Sequence, residues 1–117
     1  MKLEITGIHY DVSSRLERYV QNKIGGLEKF IGKNERAAAV ASVKLKESKA
    51  KNKNEYECYV LIALPGSTAE ARESTTNMFA AVDIVEGKLK TQLKKRKDTH
   101  ANPKFYQRLT NRLRRRS

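Results

Sequence analysis

The chain of 117 residues has no tryptophan, two prolines, two histidines and one cysteine. A single Cys58 cannot close an internal disulfide, which excludes a stapled secreted scaffold; set in an apolar alternating run, it reads as a small buried hydrophobe. His9 and His100 lie far apart in sequence, neither beside a cysteine or an acidic triad. Neither zinc-ligand spacing nor triad catalysis has its materials. Gly25-Gly26 falls inside a helical pattern without a following Gly-Lys-Ser/Thr, so no phosphate-cradling glycine loop is present. No window approaches the roughly 20 apolar residues of a spanning helix, and Met1-Lys2-Leu3-Glu4 opens no secretory apolar region. These absences lead us to expect a soluble cytoplasmic protein that is not an enzyme, needs no metal or cofactor and has no membrane partner.

Negative charge is also scarce: 13 acidic residues stand against 25 lysines and arginines, a net charge of +12. A field of that sign favours a polyanionic partner, and phosphate is the common biological one. Anionic lipid would bind only weakly without an apolar anchor. The length suits one domain with a modest core.

Leu3 and Ile5 alternate with Lys2, Glu4 and Thr6 up to Gly7, which predicts a short first strand. Ser14 and Glu17 have capping-box spacing, and Leu16, Val20, Ile24, Leu27 and Ile31 recur at helical intervals, so one helix is expected over residues 14–31. Gly25-Gly26 is its weak point, costing about 1 kcal/mol per glycine. Ala37, Ala39, Ala41, Val43 and Leu45 share one face of a second strand. Residues 47–54 read as a polar, lysine-rich loop. Tyr56, Cys58, Val60, Ile62 and Leu64 then alternate in a third strand that ends at Pro65-Gly66. A fourth, over residues 68–73, pairs through that turn. Thr75, Thr76 or Asn77 caps a last helix with the stripe Met78, Val82, Val85, Leu89 and Leu93.

The order β-α-β-β-β-α implies an α+β fold: a four-stranded, antiparallel-rich sheet with two helices on one face. Residues 1–97 form this domain. Residues 98–117, interrupted by Asn102-Pro103, are expected to be a basic, flexible tail ending in Arg112, Arg114, Arg115 and Arg116. Phe105, Leu109 and Leu113 are spaced for one helical face there, although the composition favours disorder.

Lys88, Lys90, Lys94, Lys95, Arg96 and Lys97 place six cations within ten residues of the last helix. The helix dipole welcomes cations at that end but does not require six, so a line of phosphate contacts is favoured over a solvated face. Lys23, Lys29 and Lys33 on helix one either extend that surface or are ordinary surface lysines. Lys49, Lys51 and Lys53 read as a solvated loop, and the tail arginines either grip RNA or keep the chain soluble. Tyr56 and Tyr59 lie on opposite faces of strand three, which leaves no aromatic platform for single-stranded bases. Recognition of RNA backbone and shape is therefore expected.

The run Asn77-Met78-Phe79-Ala80-Ala81-Val82-Asp83, followed by Lys88-Leu89 and Gln92-Leu93, resembles the second-helix signature of the ribosome hibernation-promoting factors, the family of ribosome-associated inhibitor A. Ile5-Thr6-Gly7, Val12-Ser13, Tyr19-Val20 and Lys23 with Leu27-Glu28-Lys29 are similar to the family in register. The resemblance covers about residues 1–97 and implies a layout similar to double-stranded RNA-binding domains. It also implies lodging between head and body of the small ribosomal subunit, in competition with mRNA and tRNA, so that translation is blocked and idle ribosomes are preserved. By the same resemblance Lys23, Lys29, Lys88 and Lys95 touch ribosomal RNA, the intact ribosome is a partner, and the free chain is expected to be monomeric. The chain departs from the family at Thr91 and Gly26, where a basic residue is frequent; Lys90 and Lys94 stand near Thr91. Long members pair two ribosomes through a further C-terminal domain, so pairing by these 117 residues alone is not expected. The alternatives are a general structured-RNA binder or RNA chaperone with no ribosomal address, and, with less weight, a regulator that binds a protein partner.

Overall fold

The apolar periodicities of the strands and helices meet on one side of a single sheet. The structure, a computed structural model, describes residues 1–51 and 53–101. Strand β1 (Lys2–Ile8) leads into helix α1 (Ser14–Gly25), a 3-10 turn (Gly26–Phe30) and a second short 3-10 turn (Arg36–Ala38). Strands β2 (Val40–Ala50), β3 (Lys53–Leu64) and β4 (Ser67–Thr75) follow, and then helix α2 (Met78–Ala101). The sheet order is β1-β2-β3-β4, with β1 parallel to β2 and the other pairs antiparallel. Parallel neighbours need a crossover, which α1 supplies. The α+β class and the sheet with both helices on one face are as the sequence predicts.

Leu16, Val20 and Ile24 of α1 and Met78, Val82, Val85, Leu89 and Leu93 of α2 are buried against Val43, Leu45, Val60 and Ile62 of the sheet. Each fully buried Val, Leu or Ile contributes about 1.5–3 kcal/mol. Among the described residues, the twelve largest fully buried side chains are all aliphatic. Aromatic rings, among them Tyr19, Phe30 and Phe79, pack instead at the rim of this core, within reach of surface cations.

Helix α2 runs to Ala101, past the boundary expected at residue 97, and local structure departs from the sequence reading in four further places. The predicted single helix over residues 14–31 breaks at the glycines: α1 ends at Gly25, and a tighter 3-10 turn carries Leu27 and Phe30. Residues three apart align in that geometry, so Leu27 enters the core while Phe30 packs at its edge. The cap of α1 is Ser13 rather than Ser14; its Oγ accepts a hydrogen bond from the Leu16 amide at 3.1 Å. Strand β2 starts at Val40, because residues 36–38 turn and expose Ala37.

The fourth departure is the lysine-rich stretch, which is a ladder rather than a loop: Glu47 pairs with Tyr56, Ser48 with Glu55 and Lys49 with Asn54. Pairing of β1 with β2 stops at Ile8↔Lys46 and that of β4 with β3 at Tyr56↔Thr75. The hairpin therefore extends past both neighbours, and its exposed faces have no core to demand apolar alternation. At the other end Pro65-Gly66 turns the chain, with Gly66 at φ 76°, a conformation glycine adopts without strain.

Helix α2 also closes the outer edge of β4 through side chains spaced four apart. Lys88 Nζ donates to the Arg72 carbonyl at 3.2 Å; Gln92 accepts from the Glu70 amide at 3.1 Å and donates to the Glu70 carbonyl at 2.7 Å. Arg96 donates to Ser67 Oγ at 2.7 Å, to the Pro65 carbonyl and to the Glu35 carboxylate. An unpaired edge strand invites further strand pairing; this row of side chains occupies it.

Candidate nucleic-acid interface

Helix α2 begins where Asn77 Oδ1 accepts from the Phe79 amide at 2.9 Å, and from there α1 and α2 run side by side in the same direction. Arg15 lies over the Phe79 ring and Tyr19 meets it edge-on at 5.1 Å; further along, Lys23 pairs with Asp83 at 3.6 Å. Beyond the end of α1, Phe30 faces Lys90 and Lys94. The seam between the helices is thus lined successively by Arg15, Lys23, Lys29, Lys90 and Lys94.

The first part of the seam is partly neutralised. Asp83 receives both the Tyr19 hydroxyl and the Lys23 ammonium, and the hydrogen bond to Asp83 is the main cause that pushes the Tyr19 phenol up to about 12. The second part is not. Lys29, Lys90 and Lys94 lie over the Phe30 ring, 5.3, 5.6 and 5.4 Å from its centroid, and no ion pair joins any of the three to a carboxylate among the described residues. An exposed cation over a ring gains about 0.5–1 kcal/mol. The ring therefore offsets part of the repulsion that converging three ammonium groups creates.

The remaining predicted contacts have different surroundings. Lys88 is tied to Glu73 at 2.8 Å, and that hydrogen bond holds the Glu73 carboxyl below the usual carboxylate range. Arg96, with only 14% of its side chain exposed, spans the end of the sheet. Lys95 is exposed on α2, and Lys97 belongs to the same helix. Arg112, Arg114, Arg115 and Arg116 lie outside the described residues, as does the Phe105, Leu109 and Leu113 stripe. Thr91 is exposed and donates to the Gly87 carbonyl.

The sequence reading did not single out Phe30, although its spacing from Leu27 and the preceding Lys29 were available signals. On the sheet, Arg72 lies over the Tyr59 ring at 4.7 Å and Tyr56 packs edge-on against Tyr10. The seam presents ammonium donors suited to phosphate oxygens. No helix among the described residues is long and apolar enough to cross a membrane.

Fold and seam together define a small α+β domain with a cationic interhelix face. Residues 3–101 match the Sigma 54 modulation protein / S30EA ribosomal protein family, and the chain belongs to it. It is 31% identical over 100 residues to a ribosome hibernation promotion factor of Lactococcus lactis subsp. cremoris, covering 83% of this chain and 50% of that protein. It is 33% identical over 98 residues to the ribosome hibernation promotion factor of Staphylococcus aureus, covering 83% and 48%. The chain spans about half the length of these relatives. Among solved structures, a ribosomal subunit interface protein from Coxiella burnetii superposes with TM-score 0.67 at 26% identity, covering 83% of this chain and 98% of that one. The Thermus thermophilus Protein Y N-terminal domain shares the fold, with TM-score 0.67 at 22% identity over 81% of this chain and 98% of that one.

Proposed function

We propose that the chain is a ribosome hibernation factor that acts in the cytoplasm without chemistry of its own. It binds the RNA of the small ribosomal subunit in the channel used by mRNA and tRNA, and by occupying it blocks translation on idle ribosomes. The observation that carries this reading is the seam of Lys23, Lys29, Lys90 and Lys94, whose last three members have no carboxylate partner among the described residues. Cations fixed on packed elements can meet several phosphates at once, and phosphate contacts position a protein on RNA without reading sequence. The names of the relatives supply the ribosome as the RNA. Lys95, Lys97 and the tail arginines Arg112, Arg114, Arg115 and Arg116 add phosphate contacts. Lys88 and Arg96 contribute by holding α2 on β4, and Lys88 also presents its ammonium near the surface.

Competition tests the reading. The protein should sediment with purified small subunits and with intact ribosomes, and prebound tRNA together with mRNA should displace it. Comparable binding to an arbitrary RNA duplex, with no displacement by tRNA, would instead indicate a general RNA binder.

A further inference from the structure

Lys29, Lys90 and Lys94 come from two separate elements, yet their ammonium groups gather over one ring. Lys29 sits in the 3-10 turn that follows the Gly25-Gly26 break; Lys90 and Lys94 are one turn apart on α2. Buried Leu27 and Ile31 anchor the turn on either side of Phe30, and buried Leu89 and Leu93 anchor the helix beneath the two lysines. The backbone segments that carry the three lysines are therefore held by the core. Along the same seam Lys23 has Asp83 as a counterion, whereas these three lysines have none among the described residues.

Charge balance decides what such a cluster accepts. One backbone phosphodiester carries a single negative charge and leaves two ammonium groups unmatched. A diphosphate or triphosphate group, or two backbone phosphates folded close together, brings several charges and many acceptor oxygens into the same small volume. Phe30 packs at the edge of the core with three lysine ammonium groups over its ring, so the ring serves as the template that gathers the cations.

We infer that Lys29, Lys90 and Lys94, gathered on Phe30, form a discrete site for clustered phosphate groups, which a free diphosphate can occupy in competition with RNA. The inference rests on the RNA-binding reading of the same seam for its biological meaning, but the site itself is testable alone. Inorganic pyrophosphate would then lower the protein's occupancy on RNA by direct exclusion.

The full chain is titrated with inorganic pyrophosphate and with orthophosphate at matched ionic strength, following the lysine side-chain and Phe30 ring resonances by NMR. Saturable one-to-one binding of pyrophosphate, about tenfold tighter than orthophosphate, with shifts centred on Lys29, Lys90, Lys94 and Phe30, is expected. Lys90→Gln should weaken it without changing Tm. Phe30→Leu keeps every charge and should reduce the preference for pyrophosphate over orthophosphate. Equal affinity for the two anions, or shifts spread equally over Lys49, Lys51 and Lys53, would overturn the inference. A ribosomal RNA fragment in the same cell separates the sources: displacement of RNA by pyrophosphate supports the shared site, and pyrophosphate binding that leaves RNA untouched contradicts it. Failure of ribosome binding with pyrophosphate binding intact would remove the proposed function and leave the site standing.

Discussion

Tyr19, Asp83 and Lys23 show how one carboxylate sets the charge of the first half of the seam. Asp83 accepts from the phenol and pairs with the ammonium, so Asp83→Ala should return the Tyr19 phenol from about 12 toward its ordinary 10.0, read by ultraviolet titration. The native phenol has the higher value, so the stability this contact gives is complete below pH 10 and is lost as pH rises through about 12. The same substitution removes the counterion of Lys23, and the variant should bind RNA more tightly at low salt, not less. Gly7 is constrained differently: a Cβ there would stand 2.1 Å from the Tyr10 carbonyl oxygen. Gly7→Ala should destabilise the fold by about 1–3 kcal/mol, visible as a lower urea midpoint, because only backbone movement relieves that overlap.

At the scale of the element, α2 carries two rows of polar side chains with separate duties. Lys88, Gln92 and Arg96 bond to β4 and its turn, while Lys90 and Lys94 face the seam. Gln92→Ala should therefore cost about 1 kcal/mol of stability, from two exposed hydrogen bonds, and leave RNA affinity unchanged. Lys88→Glu, by contrast, should lower both Tm and binding. The Lys88 contact also weakens in acid. With the native Glu73 carboxyl below its ordinary 4.5, its contribution is present above that value and is lost as pH falls through the native one.

Both helical stripes were legible from apolar periodicity, since burial demands apolar residues at each inward position. The division of the basic residues was not. Sequence marks Lys88, Lys90, Lys94 and Arg96 alike as cations, and only the placement of β4 on one flank and Phe30 on the other separates them. The hairpin over residues 47–54 was misread for a related reason: a two-stranded ribbon reaching past its neighbours is held by backbone pairing, which leaves no apolar alternation. The break at Gly25-Gly26 was visible as a weakness, but its result, the 3-10 turn that sets Phe30 beside Lys29, depends on how Leu27 and Ile31 dock into the core.

Across the whole molecule, the net charge of +12 gives a general attraction to polyanions, and the proposed interface gives it a place. A field of that kind speeds encounter and weakens with salt, whereas contacts on a packed seam determine orientation. The family names the ribosome, and the described residues supply the domain that the relatives share. Each phosphate contact should contribute roughly 0.7 to 0.9 to the slope of log affinity against log salt. The most direct measurement is sedimentation with purified small subunits over a series of salt concentrations, comparing the native chain with the Lys29→Gln, Lys90→Gln, Lys94→Gln triple variant. The account predicts that the variant stays folded with an unchanged Tm, binds far more weakly and shows a shallower salt slope. A folded variant that sediments like the native chain at every salt concentration would contradict it.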